Sequence, residues 1–502
     1  MPGVTMTFSD GSGPLTTDAN GSFYIELSNG WSGTITPSRD GYTFSASSIS
    51  INSLSNHSVG HALVGARSAV LYVDIDATGA GDGATWANAY TDLSDALFAQ
   101  RVFTEVWVAE GTYFPGELRS SFFLLPPNIP VYGGFDGTET SRDQRDPDAN
   151  PTILSGDIGT ANNNTDNTYH VVIPSDGSLL DGFVISDGYA NYNYSNGQGH
   201  GAGLWGDSVS FTVNDCNFTS NSARIGGAGI YLFESNATFT NCKFSDNTTI
   251  SSGQGAGAYL EDSNVTISDS IFDSNDAHLW GGAIYSDGSK LNIRGTTFTT
   301  NRSVSSNGGG ALYLKEGNNS ISDCNFTGNS ATSVGGAIYI DSSTTPNFSA
   351  NTFNANSASS MGGAIFINNS TSQNQDLTIV GGTLVGNTSG FGGAVATQGI
   401  TTCLFKQVRF LGNKANTGNA CGGVAYLNSG NLGATFINCE ISGNQANQYC
   451  GVVYRGVSRF VNCTIVGNQA GTGGVALLFS GDNFNCILTT QSKLNNFTIF
   501  LT

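Results

Sequence analysis

The chain has 502 residues, too many for one ordinary hydrophobic core, so its length indicates several domains or a repeat array. Charged residues make up only 11 % of the chain, but hydrophobic residues make up 38 %, which excludes wholesale disorder. The formal net charge of −20 excludes nucleic acid and anionic membrane surfaces as partners. An acidic surface suits an extracellular protein and could collect Ca²⁺, although the sequence does not locate a site.

Two further features restrict the class of protein. No apolar run reaches 18 residues, so we expect no transmembrane helix. Residues 1–5 read as part of a strand rather than as a signal peptide, so we expect the natural protein to be longer. The nine cysteines are an odd number, which leaves at least one thiol without an intrachain partner.

Residues 1–66 contain short strand-like runs, which are separated by turn residues. The runs are 4–8, 23–27, 33–36 and 42–44, and they predict a partial β-sandwich that lacks its first strand. Residues 17–23, which read Thr-Asp-Ala-Asn-Gly-Ser-Phe, resemble the carboxypeptidase-regulatory-like domains of bacterial secreted proteins.

Residues 67–200 predict the entry region of a solenoid, with irregular first coils. The stretch 92–100 predicts a short helix because it begins with an acidic residue and places Leu93, Ala96 and Leu97 on one face. We expect this helix to cap the open end of the core, since solenoids need a polar cap to stay soluble.

Residues 201–502 repeat a pattern in which an apolar residue precedes an asparagine by three positions. Successive asparagines lie 24 to 31 residues apart, so one coil has about 27 residues. A second apolar residue always lies five positions before the first. The repeat asparagines are Asn221, Asn247, Asn275, Asn301, Asn329, Asn356, Asn387, Asn413, Asn444 and Asn468.

A glycine pair followed by an apolar run recurs with the same period, for example Gly281-Gly282-Ala283-Ile284. The runs are too short for helices, and one repeat cannot bury its own apolar face. Stacked repeats can bury that face. The pattern therefore predicts an all-β, right-handed parallel β-helix, with a small N-terminal β-sandwich and a short capping helix before its regular coils. The glycine pair predicts positive φ angles or close backbone approach.

The repeat asparagines predict a structural ladder. Asparagine tolerates the left-handed backbone of a tight turn, and stacked amides can bond from coil to coil. Five cysteines share a slot two residues before the apolar column, where other coils hold Ser270, Thr296 or Val408. A slot that accepts Cys, Ser, Thr or Val is a small buried site, so we interpret these thiols as core residues rather than ligands or nucleophiles.

An aromatic column follows the glycine pairs. The residue before each aromatic residue is usually aliphatic, and the residue after it is often aliphatic too. Strand alternation places one set inside, and the aliphatic set fits the core better, which turns the aromatic residues outward. They either stabilise the sheet by stacking or form a binding stripe for sugar rings or a partner protein. The column comprises Trp205, Tyr231, Tyr259, Tyr285, Tyr313, Tyr339, Phe366, Tyr426 and Tyr454.

The repeats resemble the passenger repeats of the polymorphic outer-membrane protein family, which carry G-G-A-I and F-x-x-N. G-G-A-I occurs here at residues 281, 335 and 362, and F-x-x-N occurs eight times. The resemblance covers about residues 200–475 and implies surface display and adhesion at a bacterial cell surface. The last thirty residues lack the amphipathic strands of that family's autotransporter barrel, so export by that route is not expected.

Glycan-cleaving enzymes are the main alternative, because pectin hydrolases of this fold use short motifs that partly occur here. They are Asn164-Thr165-Asp166, Gly199-His200-Gly201 and Arg224-Ile225-Gly226. The repeat register places His200 in a slot that is glycine one coil later, and no Asp-Asp pair supplies the acid and base. Arg302 and Lys414 share a phase but lie four coils, roughly 19 Å, apart. The five histidines show no ligand spacing.

The sequence therefore predicts a non-catalytic extracellular or cell-surface protein, bacterial in origin, that acts as an adhesin, stalk or surface-structure component. No catalytic residue, metal site or cofactor is assigned. Glycans or other surface proteins are the expected partners. A polysaccharide lyase or glycoside hydrolase acting on acidic glycans is one alternative. A self-assembling filament subunit is another, because the last coil lacks an obvious polar cap and invites end-to-end or homo-oligomeric assembly.

Overall fold

The structure is a computed structural model. It describes residues 1–39, 42–46, 48–55, 63–67, 70–99, 103–192, 197–305, 308–341, 346–369, 375–399, 401–417, 420–428, 433–455, 458–471, 483–484 and 486–489. The chain forms two compact units. The first comprises residues 1–113 and 129–152, and the second comprises residues 114–128 and 153–502.

The first unit begins with a small antiparallel sheet. Its strand order is Leu15–Thr16, Thr5–Phe8, Gly33–Ser38 and Ile49–Ile51. A second antiparallel pair joins Tyr42–Phe44 to Gly65–Arg67. Alternate residues of the first sheet point into one core, which consists of Val4, Met6, Phe8, Ile35 and Ile49. That these two sheets form a sandwich of the regulatory-domain type stays a prediction.

The expected strand at residues 23–27 is wrong. In this segment Phe23 and Ile25 pack against the core while Tyr24 is exposed. The segment joins no hydrogen-bonded ladder, and the sheet instead uses Leu15–Thr16 at that edge. The alternating apolar pattern of residues 23–27 therefore predicted their burial correctly but did not predict their lack of strand pairing.

The rest of the first unit contains three parallel strands in the order Val70–Val73, Glu105–Ala109 and Pro130–Phe135. It also contains the strand Gly111–Tyr113 and the 3₁₀ turns Trp86–Asn88 and Arg142–Gln144.

The α-helix of this unit is Leu93–Leu97, shorter than the expected 92–100. Asp92 is its N-cap and accepts from the backbone N–H groups of Ser94 and Asp95, and the helix ends at Phe98. Leu93, Ala96 and Leu97 are buried as expected, but its role as an end cap stays a prediction.

The second unit is a parallel β-solenoid. Each regular coil contributes one strand to each of four sheets, in the order sheet 1, sheet 2, sheet 3 and sheet 4. One such coil comprises Ile230–Phe233, Asn236–Thr240, Lys243–Ser245 and Thr248–Thr249. Equivalent strands of successive coils pair in parallel and in register, so equivalent residues form columns along the axis. The expected all-β parallel fold is thus confirmed.

Sheet 1 has twelve strands among the described residues. They are Phe123–Leu124, Val172–Ile173, Leu204–Asp207, Ile230–Phe233, Ala258–Glu261, Ile284–Asp287, Leu312–Lys315, Ile338–Asp341, Ile365–Asn369, Val395–Gly399, Ala425–Asn428 and Val453–Tyr454. Within the second unit, sheet 2 comprises Ser178–Asp181, Ser210–Asn214, Asn236–Thr240, Asn264–Ser268, Lys290–Arg294, Ser320–Ser322, Asn347–Ser349, Gln375–Val380, Thr401–Lys406, Ala434–Ile437, Arg459–Val461 and Asn483–Phe484.

Sheet 3 begins at the boundary strand Thr152–Ser155. It continues through Phe183–Ser186, Asn217–Thr219, Lys243–Ser245, Ile271–Asp273, Thr297–Thr299, Asn325–Thr327, Thr352–Asn354, Thr383–Val385, Arg409–Leu411, Glu440–Ser442, Thr464–Val466 and Ile487–Thr489. Sheet 4 comprises Tyr189–Ala190, Ser222–Ala223, Thr248–Thr249, Asp276–Ala277, Arg302–Ser303, Ser330–Ala331, Ser357–Ala358, Thr388–Ser389, Lys414–Ala415, Gln445–Ala446 and Gln469–Ala470.

The solenoid interior is built from apolar columns. In sheet 3 the phenylalanines stack face to face, as Phe298 and Phe326 do with ring centroids 4.7 Å apart and planes 3° apart. In sheet 1 most inward residues are aliphatic, and Ile230 and Leu232 are completely buried. Period-two alternation therefore places the aliphatic residues inside, as the sequence predicts.

The corners between sheets each use one residue with positive φ. At the corner between sheets 3 and 4 this is the residue before the repeat asparagine, for example Asp246 (φ 55°) or Thr300 (φ 52°). The expectation that the asparagine itself takes the left-handed conformation is wrong, because its side chain turns into the core and the preceding residue makes the bend. The glycine pair behaves as expected. Gly281 has φ 62°, and a Cβ on Gly282 would lie 2.1 Å from the Gly310 carbonyl oxygen.

Candidate functional site

The aromatic column lies on the outer face of sheet 1, in the register that strand pairing imposes. Tyr231, Tyr259, Tyr285, Tyr313 and Tyr339 occupy paired positions of successive strands. Trp205 precedes them and Phe366 follows, and Tyr426 pairs with Tyr454. The column is interrupted at Ala396, which takes the aromatic position in its coil.

The rings stack upon one another along the axis. Tyr285 and Tyr313 have centroids 5.0 Å apart and planes 10° apart, and Tyr313 and Tyr339 have centroids 4.8 Å apart. Both faces of an inner ring therefore contact protein. Tyr285 and Tyr313 are each only 5 % exposed, and Phe366 is 3 % exposed. This geometry favours sheet stabilisation over the stacking of sugar rings, which needs an open ring face.

Carboxylates follow the tyrosines in the strand and accept hydrogen bonds from them. The hydroxyl of Tyr313 donates to Asp341 across 2.7 Å, and the hydroxyl of Tyr231 donates to Glu261 across 3.0 Å. Lys315 donates to Asp287 across 2.7 Å. Burial and the nearby Asp341 raise the pKa of Tyr339 to about 12. These hydroxyls are donors held protonated, so they do not act as bases.

A second column lies beside the aromatic residues, and the sequence pattern did not reveal it. It is formed by the residue before each positive-φ glycine, and its members pair from coil to coil. Trp280 packs on Tyr313 with centroids 5.4 Å apart, and Phe391 packs on Tyr426 at 5.1 Å. Because the same slot holds Gly226 or Gly308 elsewhere, no shared residue type could have identified it.

An open groove of about 450 Å³ lies on the outer face of sheet 2, in its first coils within the second unit. Its outward-facing residues form two columns. The first column consists of threonines, and the second consists of one serine and two asparagines. They are Thr212, Thr238 and Thr266 in the first and Ser210, Asn236 and Asn264 in the second. The lining contains no charged side chain. The sequence pattern gave no signal for this groove, because Ser, Thr and Asn are abundant throughout the chain.

The groove presents hydrogen-bonding groups to solvent. Asn236 and Asn264 are exposed, and Thr212, Thr238 and Thr266 are half-buried. The amide of Asn264 donates to the Asn236 side-chain oxygen across 3.2 Å, which aligns the two amides along the axis. A polar, uncharged ligand that lies along the axis can therefore bond to several coils at once.

The repeat asparagines form a continuous ladder in the buried corner between sheets 3 and 4. Each side-chain amide donates to the oxygen of the next asparagine and to a carbonyl of the preceding coil. For Asn301 the acceptors are Asn329 Oδ1 at 3.0 Å and the Phe272 carbonyl at 2.9 Å. Each oxygen also accepts from the backbone N–H one coil earlier, as Asn301 Oδ1 does from Asn275 at 3.1 Å.

Two of the other three corners carry similar ladders of smaller groups. Between sheets 1 and 2, the hydroxyl of Ser263 accepts from the Ser235 N–H at 3.0 Å and donates to the Glu261 carbonyl at 2.8 Å. Between sheets 2 and 3, the thiol of Cys242 takes the same inward position and donates to the carbonyls of Val213 and Thr240. Eight of the nine cysteines are buried, and Cys486 is half-buried.

Two of the pectinase-like motifs, residues 199–201 and 224–226, lie side by side on adjacent coils. His200 pairs with Gly226, in the register that the repeat predicts. Burial lowers the pKa of His200 to about 4, and that of His170 to about 4 as well, so both rings are neutral near pH 7. Asp166 instead accepts a hydrogen bond from the Thr160 N–H at 3.0 Å.

The two cations that share a phase are also separated. Arg302 forms an ion pair with Asp276 across 2.8 Å on the outer face of sheet 4, and Lys414 lies four strands away. Over the described ranges, no cluster of three or more His, Cys, Asp or Glu residues could hold a metal ion. Within that same part of the chain, no helix is long and apolar enough to cross a membrane.

Comparison with known proteins gives one family. A family model described as "Right handed beta helix region" matches residues 160–298, 191–381 and 247–415. Together these matches span residues 160–415, about half of the chain. Neither the curated proteins nor the solved structures gave a significant match.

Proposed function

This chain belongs to the right-handed β-helix family, and on that premise we propose a non-catalytic extracellular or cell-surface protein. It acts as an adhesin, stalk or surface-structure component. Its contact surface for glycans is the polar groove on sheet 2. The supporting observation is the groove itself, in which hydroxyls and amides of equivalent residues repeat from coil to coil without a charged side chain.

Repetition argues against catalysis in the described part of the solenoid. Hydrolysis or elimination needs unlike groups, an acid and a base or a cation and a base, within reach of one bond. The columns instead repeat one chemical type, such as threonine at positions 212, 238 and 266. Such a surface holds a repeating ligand without activating any one bond.

The groove suits an uncharged polysaccharide chain. Sugar hydroxyls both donate and accept, and Asn and Thr side chains do the same. Equivalent side chains of adjacent coils are separated by the strand spacing of about 4.8 Å, so an extended chain along the axis meets the same donors and acceptors repeatedly. Many weak contacts of this kind add to a useful affinity only through multivalency.

The aromatic column and the ladders provide the stiffness that a stalk needs. Stacked tyrosines and buried amides connect each coil to the next, which stiffens the solenoid along its axis. Resemblance to the polymorphic outer-membrane protein repeats supports display at a bacterial surface. The function needs no cofactor, and Ca²⁺ on the acidic surface stays a prediction.

A glycan array tests the binding claim. The wild-type protein is expected to bind uncharged polysaccharides, and Thr238→Arg, which fills the groove with a long cation, is expected to lose that binding. Thr297→Arg is the matched control, because Thr297 is also a half-exposed outward threonine but lies on sheet 3. Equal binding by both variants would rule out the groove.

Two further readouts separate the alternatives. Release of shortened products from any bound glycan would identify a lyase or hydrolase and contradict the proposal. Sedimentation velocity across a concentration series would reveal a filament subunit through growth with concentration, whereas a constant sedimentation coefficient supports a monomeric stalk or adhesin.

A further inference from the structure

Cysteines are distributed unevenly over the columns of the solenoid. The slot between sheets 2 and 3 holds cysteine in consecutive coils at Cys216 and Cys242, singly at Cys324, and in consecutive coils again at Cys439, Cys463 and Cys486. The last three directly precede paired strand residues, since Glu440 pairs with Thr464 and Thr464 with Ile487. These three cysteines therefore lie at neighbouring levels along the axis.

Cys439 and Cys463 occupy this slot in consecutive coils. The Thr464 N–H donates to the Cys439 carbonyl across 2.9 Å, which holds the two cysteines at neighbouring levels. Both side chains point the same way, because the Cys439 thiol donates to the Phe405 carbonyl and the Cys463 thiol donates to the Phe436 carbonyl, each at 3.4 Å.

This placement satisfies the main requirement of a disulfide. Adjacent parallel strands are separated by about 4.8 Å, and the Cα atoms of bonded cysteines lie roughly 4.4 to 6.8 Å apart. Cys439 is 3 % exposed and Cys463 is 1 % exposed. Burial protects the bond once it has formed, so the bond must form before the last coils close.

We propose that Cys439 and Cys463 are a covalent cross-link site, at which a disulfide joins two successive coils near the end of the described solenoid. The oxidant is a low-molecular-weight disulfide such as oxidised glutathione. One thiolate attacks it to give a mixed disulfide and one released thiol. The second thiolate then displaces the other glutathione, so the two cysteines lose two electrons and two protons in all and two glutathione molecules are reduced.

Refolding in a glutathione redox buffer, followed by alkylation in denaturant without reductant and peptide mapping, tests the proposal. The expected result is a linked pair of peptides containing Cys439 and Cys463, with both cysteines protected from the reagent. Cys439→Ser is expected to leave Cys463 open to alkylation, and Cys463→Ser is expected to leave Cys439 open. Cys403→Ser is the control, since its column neighbours are Leu377 and Ala434, and it is expected to keep the link.

Two results would overturn the proposal. One is full alkylation of Cys439 and Cys463 in protein that has refolded with native circular dichroism. The other is a link from Cys463 to Cys486 instead of Cys439. If the serine variants fail to fold, the wild-type peptide map still decides, because it needs no substitution.

Discussion

The side-chain amide of Asn301 donates to Oδ1 of Asn329, one coil further along the axis, across 3.0 Å. Both residues are completely buried. Each amide in this ladder uses both of its protons and both lone-pair directions of its oxygen, so the ladder is saturated within the core. A saturated buried network is strong when complete and costly when one member is removed.

We therefore expect Asn301→Ala to destabilise the protein by about 3 kcal/mol or more. It leaves the Asn275 N–H and side-chain amide, the Phe272 carbonyl and Asn329 Oδ1 short of partners in the core. The urea midpoint of unfolding, followed by circular dichroism, measures the effect. Asn325→Ala is the control, since Asn325 is exposed on sheet 3, and it is expected to change stability by less than about 0.5 kcal/mol. Similar losses in both variants would contradict the ladder's role.

Thr397 offers a substitution that should stabilise the protein. It is completely buried in the inward column of sheet 1, between Ile367 and Leu427, and its hydroxyl has no hydrogen-bond partner. Thr397→Val replaces that hydroxyl with a methyl group of similar size and removes the desolvation penalty, so stability is expected to rise by about 1 kcal/mol. Differential scanning calorimetry should give a higher melting temperature than wild type. A lower one would mean that the hydroxyl is satisfied.

Stability is expected to fall as the pH is lowered from 7 to 4. Burial lowers the pKa of His170 and His200 from an ordinary 6.5 to about 4, so between these values the unfolded chain binds protons that the folded chain does not. The neutral rings therefore contribute stability that is complete above pH 6.5 and is lost as the pH falls to about 4, roughly 3 kcal/mol for each histidine at most.

Variants at these histidines isolate that contribution from the titration of carboxylates. The pH dependence of the melting temperature between pH 4 and 7 should be shallower for His200→Gln than for wild type. His278→Gln, at an exposed position, is the control and should follow the wild-type curve. Parallel curves for wild type and His200→Gln would contradict the prediction.

The aromatic column is expected to affect stability more than binding. Tyr313→Ala removes a ring stacked between Tyr285 and Tyr339 and should cost about 3 to 5 kcal/mol, whereas Tyr313→Phe loses only the hydrogen bond to Asp341, about 1 kcal/mol. The triple change of Tyr285, Tyr313 and Tyr339 to Phe keeps the stack and should keep glycan binding. Loss of binding in that folded triple variant would instead identify the aromatic column as the binding stripe.

Much of the fold could be predicted because each column corresponds to one residue type that recurs in the sequence once per coil. The apolar residue three positions before Asn301 and the pair Gly281-Gly282 fix the period. The aliphatic neighbours of Tyr313, which are Leu312 and Leu314, fix which face of sheet 1 is inside. These features depend on one residue type per slot, so a single sequence is enough to find them.

The rest could not be predicted where a slot is defined by backbone shape rather than residue type. The left-handed position at the corner between sheets 3 and 4 holds Ser220, Asp246, Ala355 and Gly386 in different coils. No single residue type therefore marks this bend in the sequence. Trp280 and Gly226 likewise share a slot beside the aromatic column. The groove on sheet 2 is lined by Ser, Thr and Asn, which are abundant throughout the chain, so these residues did not mark it in the sequence.

The most direct test of the account is the chain length of an uncharged polysaccharide after prolonged incubation with the protein that binds it. Size-exclusion chromatography with light scattering measures that length, and the Thr238→Arg variant provides the unbound reference. A non-catalytic β-helix is expected to bind the glycan and to leave its chain length unchanged. Progressive shortening by wild-type protein would contradict a non-catalytic β-helix and show that the solenoid carries an active site.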